Sequence, residues 1–309
     1  MKTFSTLLAA SLALSTSTIA AAAPCPTTPA VKRALCQLRQ GSFDERYEAC
    51  RALRRMKGKA REAAIPLLVR LLRHGRPVPK RVPHIPPRDL RWQAAYALQS
   101  MGAASVAPLL GALKSRHAYA RQAAAQTLGY LPADKRVVAA LVKALRDPNS
   151  RVRALAARSL GRKGQLTGKR AVKALIAATK TRHREALEAA VVALGKIAEG
   201  KVAQKRPVEL PGASVGCLRR ALRHSHPRVQ ISAAEALRPF GRHGAAAVPE
   251  LIKALSYKSD LAKREAILTL RFLGKRATAA IPRLKALLAH RNPRVRGDAE
   301  WALKSIGSR

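Results

Sequence analysis

The chain has 309 residues, of which 60 are Lys or Arg and 17 are Asp or Glu, so its formal net charge is +43. Its hydrophobic content of 48% is sufficient for a folded core, whereas an aromatic content of 4% argues against a deep aromatic pocket. Beyond residue 23 no apolar stretch reaches the length of a transmembrane helix, so we expect a protein that is not transmembrane and whose charge favours an acidic partner.

The first predicted element is a signal peptide over residues 1–23. Lys2 provides the positive end, residues 7–14 form a short and mostly apolar run, and the alanines at 20–23 offer a cleavage site. The apolar run is too short to span a bilayer, and the residues before Cys25 lack a lipoprotein signature. We therefore expect a periplasmic or secreted protein.

Residues 24–41 are predicted to form an N-terminal cap that holds half of an incomplete repeat. The chain's four cysteines are Cys25, Cys36, Cys50 and Cys217. Three of them lie within the first fifty residues, and in an exported chain this favours a disulfide at the cap. The pairs Cys36–Cys50 and Cys25–Cys36 are both compatible with the spacing. We interpret Cys217 as a helix-packing residue.

From residue 42 to 309 one helical pattern returns with a period near 33 residues. When each copy is numbered from a position zero, Ala stands at +3, a small residue at +6, Leu at +7 and often Gly at +11. The zero positions are Arg46, Arg91, Arg121, Arg153, Leu187, Gln230, Lys263 and Arg296. Apolar residues at this spacing share one face of a helix, and a repeat of this length indicates a stacked array.

A second helix is predicted between each pair of these first helices. It begins with Val or Ile, carries Leu, Ile or Val at most +3 and +7 positions, and often has Pro in its first turn. The copies begin at Ile65, Val106, Val138, Val172, Val215, Val248 and Ile281. Each αα-hairpin buries its apolar side only by stacking on its neighbours. The prediction is an all-α solenoid, or superhelix, of about eight hairpins.

Two insertions interrupt the period, near residues 74–90 and 200–213. The first contains five prolines, which exclude a helix, and the second is rich in Lys, Arg and Pro. Insertions in repeat arrays either bind partners or act as solvated spacers. The pattern continues in phase on both sides, so we expect a single solenoid.

The turns before three first helices resemble those of a known family. The segments Asp147–Arg153, His226–Gln230 and Asn292–Arg296 are similar to the inter-repeat turn of HEAT repeats, most closely the HEAT-like subtype found in phycobilisome lyases. The resemblance covers roughly residues 30–309 and implies an armadillo-like superhelix whose second helices line a concave groove. It also implies that the arginines at position zero connect neighbouring repeats. It leaves the function open, because such repeats serve unrelated tasks.

No catalytic or metal-binding pattern is recognisable. The stretch from Gly161 to Arg170 differs from a phosphate-binding loop, because three residues rather than four separate Gly164 from Gly168 and Arg170 replaces Ser or Thr. None of the eight histidines is followed by Glu, as they are in the iron-binding pairs of HEAT-like deoxyhypusine hydroxylases. We predict no catalytic residue, cofactor or metal. A lyase or oxidoreductase on this scaffold is the disfavoured alternative.

The second helices carry cations at +5 and +8, and these positions hold no acidic residue. Positions three apart share a helix face, so stacked repeats would align these cations in a row. This second-helix row consists of Arg70, Arg73, Lys114, Lys143, Arg146, Lys180, Arg220, Arg223 and Lys253. We predict a basic groove that binds an acidic protein or an anionic polymer or lipid of the cell envelope. Nucleic-acid binding, as in HEAT-like DNA glycosylases, is an alternative, and a face that only aids solubility is another.

Overall fold

The computed structural model describes residues 29–73, 89–132, 134–164, 167–208 and 210–307. The predicted signal peptide, Cys25 and nearly all of the first insertion lie outside these residues. Within them the regular structure is entirely helical, so the predicted all-α class is confirmed.

One helix precedes the array, and first and second helices then alternate. The preceding helix is α1 (Ala30–Gln40). The first helices are α2 (Phe43–Arg55), α4 (Leu90–Ser100), α6 (Ala118–Tyr130), α8 (Ser150–Lys163), α10 (Arg184–Ala203), α12 (Pro227–Leu237), α14 (Asp260–Leu273) and α16 (Pro293–Gly307). The second helices are α3 (Ile65–Leu71), α5 (Val106–Ala112), α7 (Lys135–Ala144), α9 (Lys169–Ala178), α11 (Pro211–Leu222), α13 (Val248–Ala254) and α15 (Ile281–Ala286).

The first helices pack side by side through the small residues that define the repeat. The alanines at +3 are completely buried in all eight copies, namely Ala49, Ala94, Ala124, Ala156, Ala190, Ala233, Ala266 and Ala299. Glycines at +8 permit the closest approaches, because a Cβ on Gly195 would lie 2.7 Å from the Cα of Ala236. A Cβ on Gly161 would lie 3.0 Å from the Cα of Ala193. The array therefore depends on the small residues of the repeat pattern as much as on its leucines.

Three of the arginines at position zero fasten their first helix to the turn that precedes it. Arg153 Nη1 donates to the backbone oxygens of Asp147 at 2.8 Å and Pro148 at 3.0 Å. Arg296 Nη1 makes the same bond to His290 O at 2.9 Å. Arg121 reaches further, since its guanidinium also binds the Asp147 carboxylate at 2.7 Å and 3.0 Å. These side chains satisfy turn carbonyls and connect successive hairpins.

Four second helices begin at the residue predicted, and three begin earlier. A short 3₁₀ segment precedes α3, α5, α13 and α15, and a glycine with positive φ, such as Gly102 at 65°, makes the bend. By contrast, α7 and α9 begin three residues before Val138 and Val172, and α11 begins four before Val215. At α7 the reason is local, because the Asp134 carboxylate accepts a bond from Arg136 N and caps the helix.

The second insertion is shorter than predicted. Helix α10 continues through Gly200 to Ala203, and α11 begins at Pro211, so part of the stretch assigned to an insertion is helical. Ile197, Ala198 and Lys201 are buried at helical spacing, and their burial outweighs the cost of about 1 kcal/mol for one glycine inside a helix.

The structure excludes one of the two predicted disulfide pairings. Cys36 is disulfide-bonded, whereas Cys50 and Cys217 are free and buried. The Cys36–Cys50 pair therefore does not form, and Cys25, the other candidate, lies outside the described residues. Burial raises the pKa of the Cys50 thiol to about 12, so this thiol is unreactive at neutral pH.

Candidate functional site

The two helix layers differ in charge. The eight first helices contain 21 basic and 11 acidic residues. The seven second helices contain 12 basic residues and one acidic residue, Glu250. Surfaces that only aid solubility mix both signs. The near absence of acidic residues from one layer therefore makes the second helices the candidate site.

All nine side chains of the second-helix row are exposed to solvent. The four at +5 lie on second helices, whereas the five predicted at +8 lie just past the helix ends, because these helices end earlier than predicted. Eight of them make no ion pair with any residue that the structure describes. The exception is Arg223, whose Nη2 lies 2.5 Å from Glu250 Oε1. Most of the row is thus available to an external anion.

Glu250 is the buried centre of an ion triad between neighbouring repeats. It lies on α13 and is 2% exposed. Arg219 of α11 holds it with Nε to Oε2 at 2.8 Å and Nη2 to Oε1 at 2.9 Å. Hydrogen bonds from Arg219, opposed by burial and supported by Arg223, lower the pKa of Glu250 to about 2. This carboxylate therefore stays charged. Because Arg223 pairs with it, Arg223 is less available to an external anion than the other eight members of the row.

Two members of the row line one recess. Arg146 and Lys180 lie at its edge together with Arg153, in a volume of about 360 Å³ between α7 and α9. Its floor is apolar and includes Ala174, Ala177 and Ala178, and no acidic residue lines it. Because Arg153 is held by the turn carbonyls, its guanidinium is fixed in place. The recess combines cations with an apolar floor.

The first-helix face differs, because some of its cations pair with acidic residues of neighbouring repeats. The Arg238 guanidinium pairs with Glu265, and Arg264 Nε lies 2.6 Å from Asp298 Oδ2. A larger recess of about 510 Å³ on this face has both charge signs at its edge. Burial, together with the nearby Glu265 carboxylate, raises the pKa of Glu235 in this recess.

Arginine–aromatic contacts between first helices were not anticipated from the sequence. Arg54 lies over the Tyr96 ring at 5.8 Å, and Arg271 lies over the Trp301 ring at 5.7 Å. In both pairs the arginine is at +8 of one copy and the aromatic ring is at +5 of the next. That shared register is the signal that would have revealed them. These contacts link neighbouring repeats, so Arg54 and Arg271 have structural partners.

Two further features of the described residues concern metal binding and membrane insertion. The described part of the chain has no group of three or more His, Cys, Asp or Glu side chains placed to hold a metal ion. Among its helices none is long and apolar enough to cross a membrane. The buried Lys163 serves as a helix cap, since its Nζ donates to Leu131 O, and burial, with the nearby Arg162, lowers its pKa.

Comparisons with known proteins agree with this architecture. The family model described as HEAT repeats matches residues 78–160, 138–205 and 217–304. One engineered protein of known structure is 20% identical over 90% of this chain and 89% of its own, with a TM-score of 0.52. A second engineered protein is 24% identical over 65% of this chain and 96% of its own, with a TM-score of 0.51.

Armadillo repeat proteins computationally designed for modular peptide recognition are 20% identical over 65% of this chain and 99% of theirs, with a TM-score of 0.50. No curated protein sequence matches the chain. At these identities the structural likeness shows the α-solenoid fold, and membership of the phycobilisome-lyase subtype stays a prediction.

Proposed function

Because the chain belongs to the HEAT-repeat family, whose repeat scaffolds are suited to binding partners, we propose that it is an exported, non-catalytic scaffold that binds an acidic partner along the second-helix row. The observation that carries this proposal is the charge difference between the helix layers, with one acidic residue in all seven second helices. The family's geometry would place this row in a basic groove.

The row provides affinity as a sum of modest terms. One pair of opposite charges 4 Å apart in water contributes about 1 kcal/mol, so a single cation binds weakly and several together bind usefully. Counter-ions screen such pairs, and the attraction falls as the ionic strength rises. The partner is therefore an acidic protein, or an anionic polymer or lipid of the cell envelope, that contacts several repeats at once.

The positions of the aromatic residues support an acidic partner over a single-stranded nucleic acid. The exposed aromatic side chains of the described residues are Phe43, Tyr96, Tyr119, Tyr130, Phe272 and Trp301. All six lie on first helices, so the second helices offer no ring on which a base would stack.

A charge-matched pair of variants tests the role of the row. The row variant changes six unpaired cations to Gln, namely Arg70, Arg73, Lys143, Arg146, Arg220 and Lys253. The control variant changes six exposed cations elsewhere, namely Arg55, Arg151, Arg228, Arg242, Arg276 and Arg294. Both variants have the same net charge, and neither removes an ion pair between described residues. Poly-L-glutamate, phosphatidylglycerol vesicles and duplex DNA serve as probes at low and high salt.

The row variant should lose poly-L-glutamate affinity by up to about 10⁴-fold, the sum of six such terms, while the control should keep most of its affinity. Equal losses in both variants would show that total charge suffices. Unchanged binding in both would end the proposal, and a strong preference for DNA would favour the nucleic-acid alternative. Export is tested separately by mass spectrometry, which should find a new N-terminus near Ala23 or Pro24.

A further inference from the structure

The recess between α7 and α9 lies where small residues replace longer side chains on α9. At +5, where α7 has Lys143 and α11 has Arg220, α9 has Ala177. With Ala174 and Ala178 also small, the apolar floor is left uncovered. Arg146 and Lys180 at +8 remain on its edge. Two other copies also lack a cation at +5, with Gly111 after Val106 and Ala286 after Ile281, but at α9 the cations Arg146 and Lys180 line the space that the small residue leaves.

The apolar character of this space continues along the second helices. Position +4, next to the +5 cations, holds partly buried apolar residues that pack on the core in five of the seven copies, namely Val69, Leu110, Val142, Ile176 and Ile252. The face therefore has an apolar strip beside its cations. A ligand that carries only negative charge leaves this strip and the recess unused.

We propose that the recess takes an apolar side chain of an extended acidic polypeptide whose neighbouring carboxylates bind Arg146 and Lys180. This inference rests on the proposed function and specifies the partner's chemistry. Packed helices lie about 8–10 Å apart, and an extended chain advances about 3.3 Å per residue. Successive repeats therefore match positions about three residues apart in the peptide, which suits acidic residues separated by apolar ones.

Two probe peptides of equal length and charge separate the recess from the row. One repeats the triplet Glu-Glu-Leu and the other repeats Glu-Glu-Ser. The wild-type chain should bind the Leu peptide at least about tenfold more tightly, because burying a Leu side chain favours the complex. Both affinities should fall with added salt.

A variant that fills the recess provides the decisive comparison. Ala177→Leu leaves the charge unchanged and should remove the preference for the Leu peptide, and Ala177→Met is a second filling variant if Leu alters the helicity. Ala139→Leu, at an exposed position of α7 outside the recess, should keep the preference. Equal, salt-sensitive binding of the two peptides to the wild-type chain would overturn the recess alone, and so would a preference for the Leu peptide that survives both filling variants. Failure of both peptides to bind overturns the row as well.

Discussion

Replacing Glu250 with Gln should destabilise the array between α11 and α13. The side chain of Glu250 is 3% exposed, while those of Arg219 and Arg223 are 38% and 61% exposed. The amide keeps the shape of the carboxylate but loses its charge. The two arginines then regain water, so the variant loses the attraction without leaving a buried charge.

The lowered pKa sets the size of this effect. A carboxyl whose pKa falls from 4.5 to about 2 on folding contributes roughly 3 kcal/mol to the free energy of unfolding. The exposure of both arginines reduces this contribution to about 2 kcal/mol. Because the folded pKa is below the unfolded one, the gain is complete above about pH 4.5 and is lost as the pH falls towards 2. The melting temperature should drop by roughly 4–8 °C at pH 7, and by much less at pH 2.5.

The reverse experiment should cost more. Changing both Arg219 and Arg223 to Gln leaves the Glu250 carboxylate buried without a cation, and such a loss destabilises by about 3–5 kcal/mol. Urea denaturation followed by circular dichroism should rank the wild type first, Glu250→Gln second and the double arginine variant last. Glu250→Gln as stable as the wild type at pH 7, or the double variant as stable as Glu250→Gln, would refute the account of the triad.

Two further predictions concern packing and the cap. Gly195→Ala should destabilise the array by about 1–3 kcal/mol, because its Cβ would lie 2.7 Å from the facing helix. Gly200→Ala in the same helix, where a Cβ meets nothing within 4 Å, should stabilise it by up to about 1 kcal/mol; urea midpoints compare the two. Reducing the Cys36 disulfide should cost roughly 2–4 kcal/mol, seen as a lower melting temperature, while Cys50 should resist alkylation in the native protein.

The packing of the helices could be predicted from the sequence, because the positions that the repeat pattern keeps apolar are the buried ones. Ala at +3 and Leu at +7 recur because these positions face the neighbouring repeats, and in the structure they do. Helix ends were predicted less well, because capping and burial decide them. The Asp134 cap moves the start of α7 to Lys135. The second insertion was predicted to begin near residue 200, although Ile197 and Lys201 carry the buried face of α10 past Gly200.

The exposure of the second-helix row could be predicted from the same pattern, but its pairing and the recess could not. Residues at +5 and +8 lie opposite the buried positions, so the exposure of Arg70 or Lys143 follows from the pattern. The pairing of Arg223 with Glu250 did not follow, because it joins side chains 27 residues apart in neighbouring repeats. The recess was missed for the opposite reason. The sequence-based prediction followed the cations alone, whereas in three dimensions Ala177 lines an apolar recess beside them.

The separation of charges also bears on why the array tolerates its net charge of +43. On the first helices some arginines pair with acidic residues of the next repeat, as Arg158 does with Glu185 and Arg264 with Asp298. On the second helices the cations stand about one packed-helix distance apart, close to the Debye length of about 8–10 Å at physiological salt. Their repulsion is therefore screened but not removed. A bound polyanion would relieve it, so partner binding and stability of the array should be linked through the same cations.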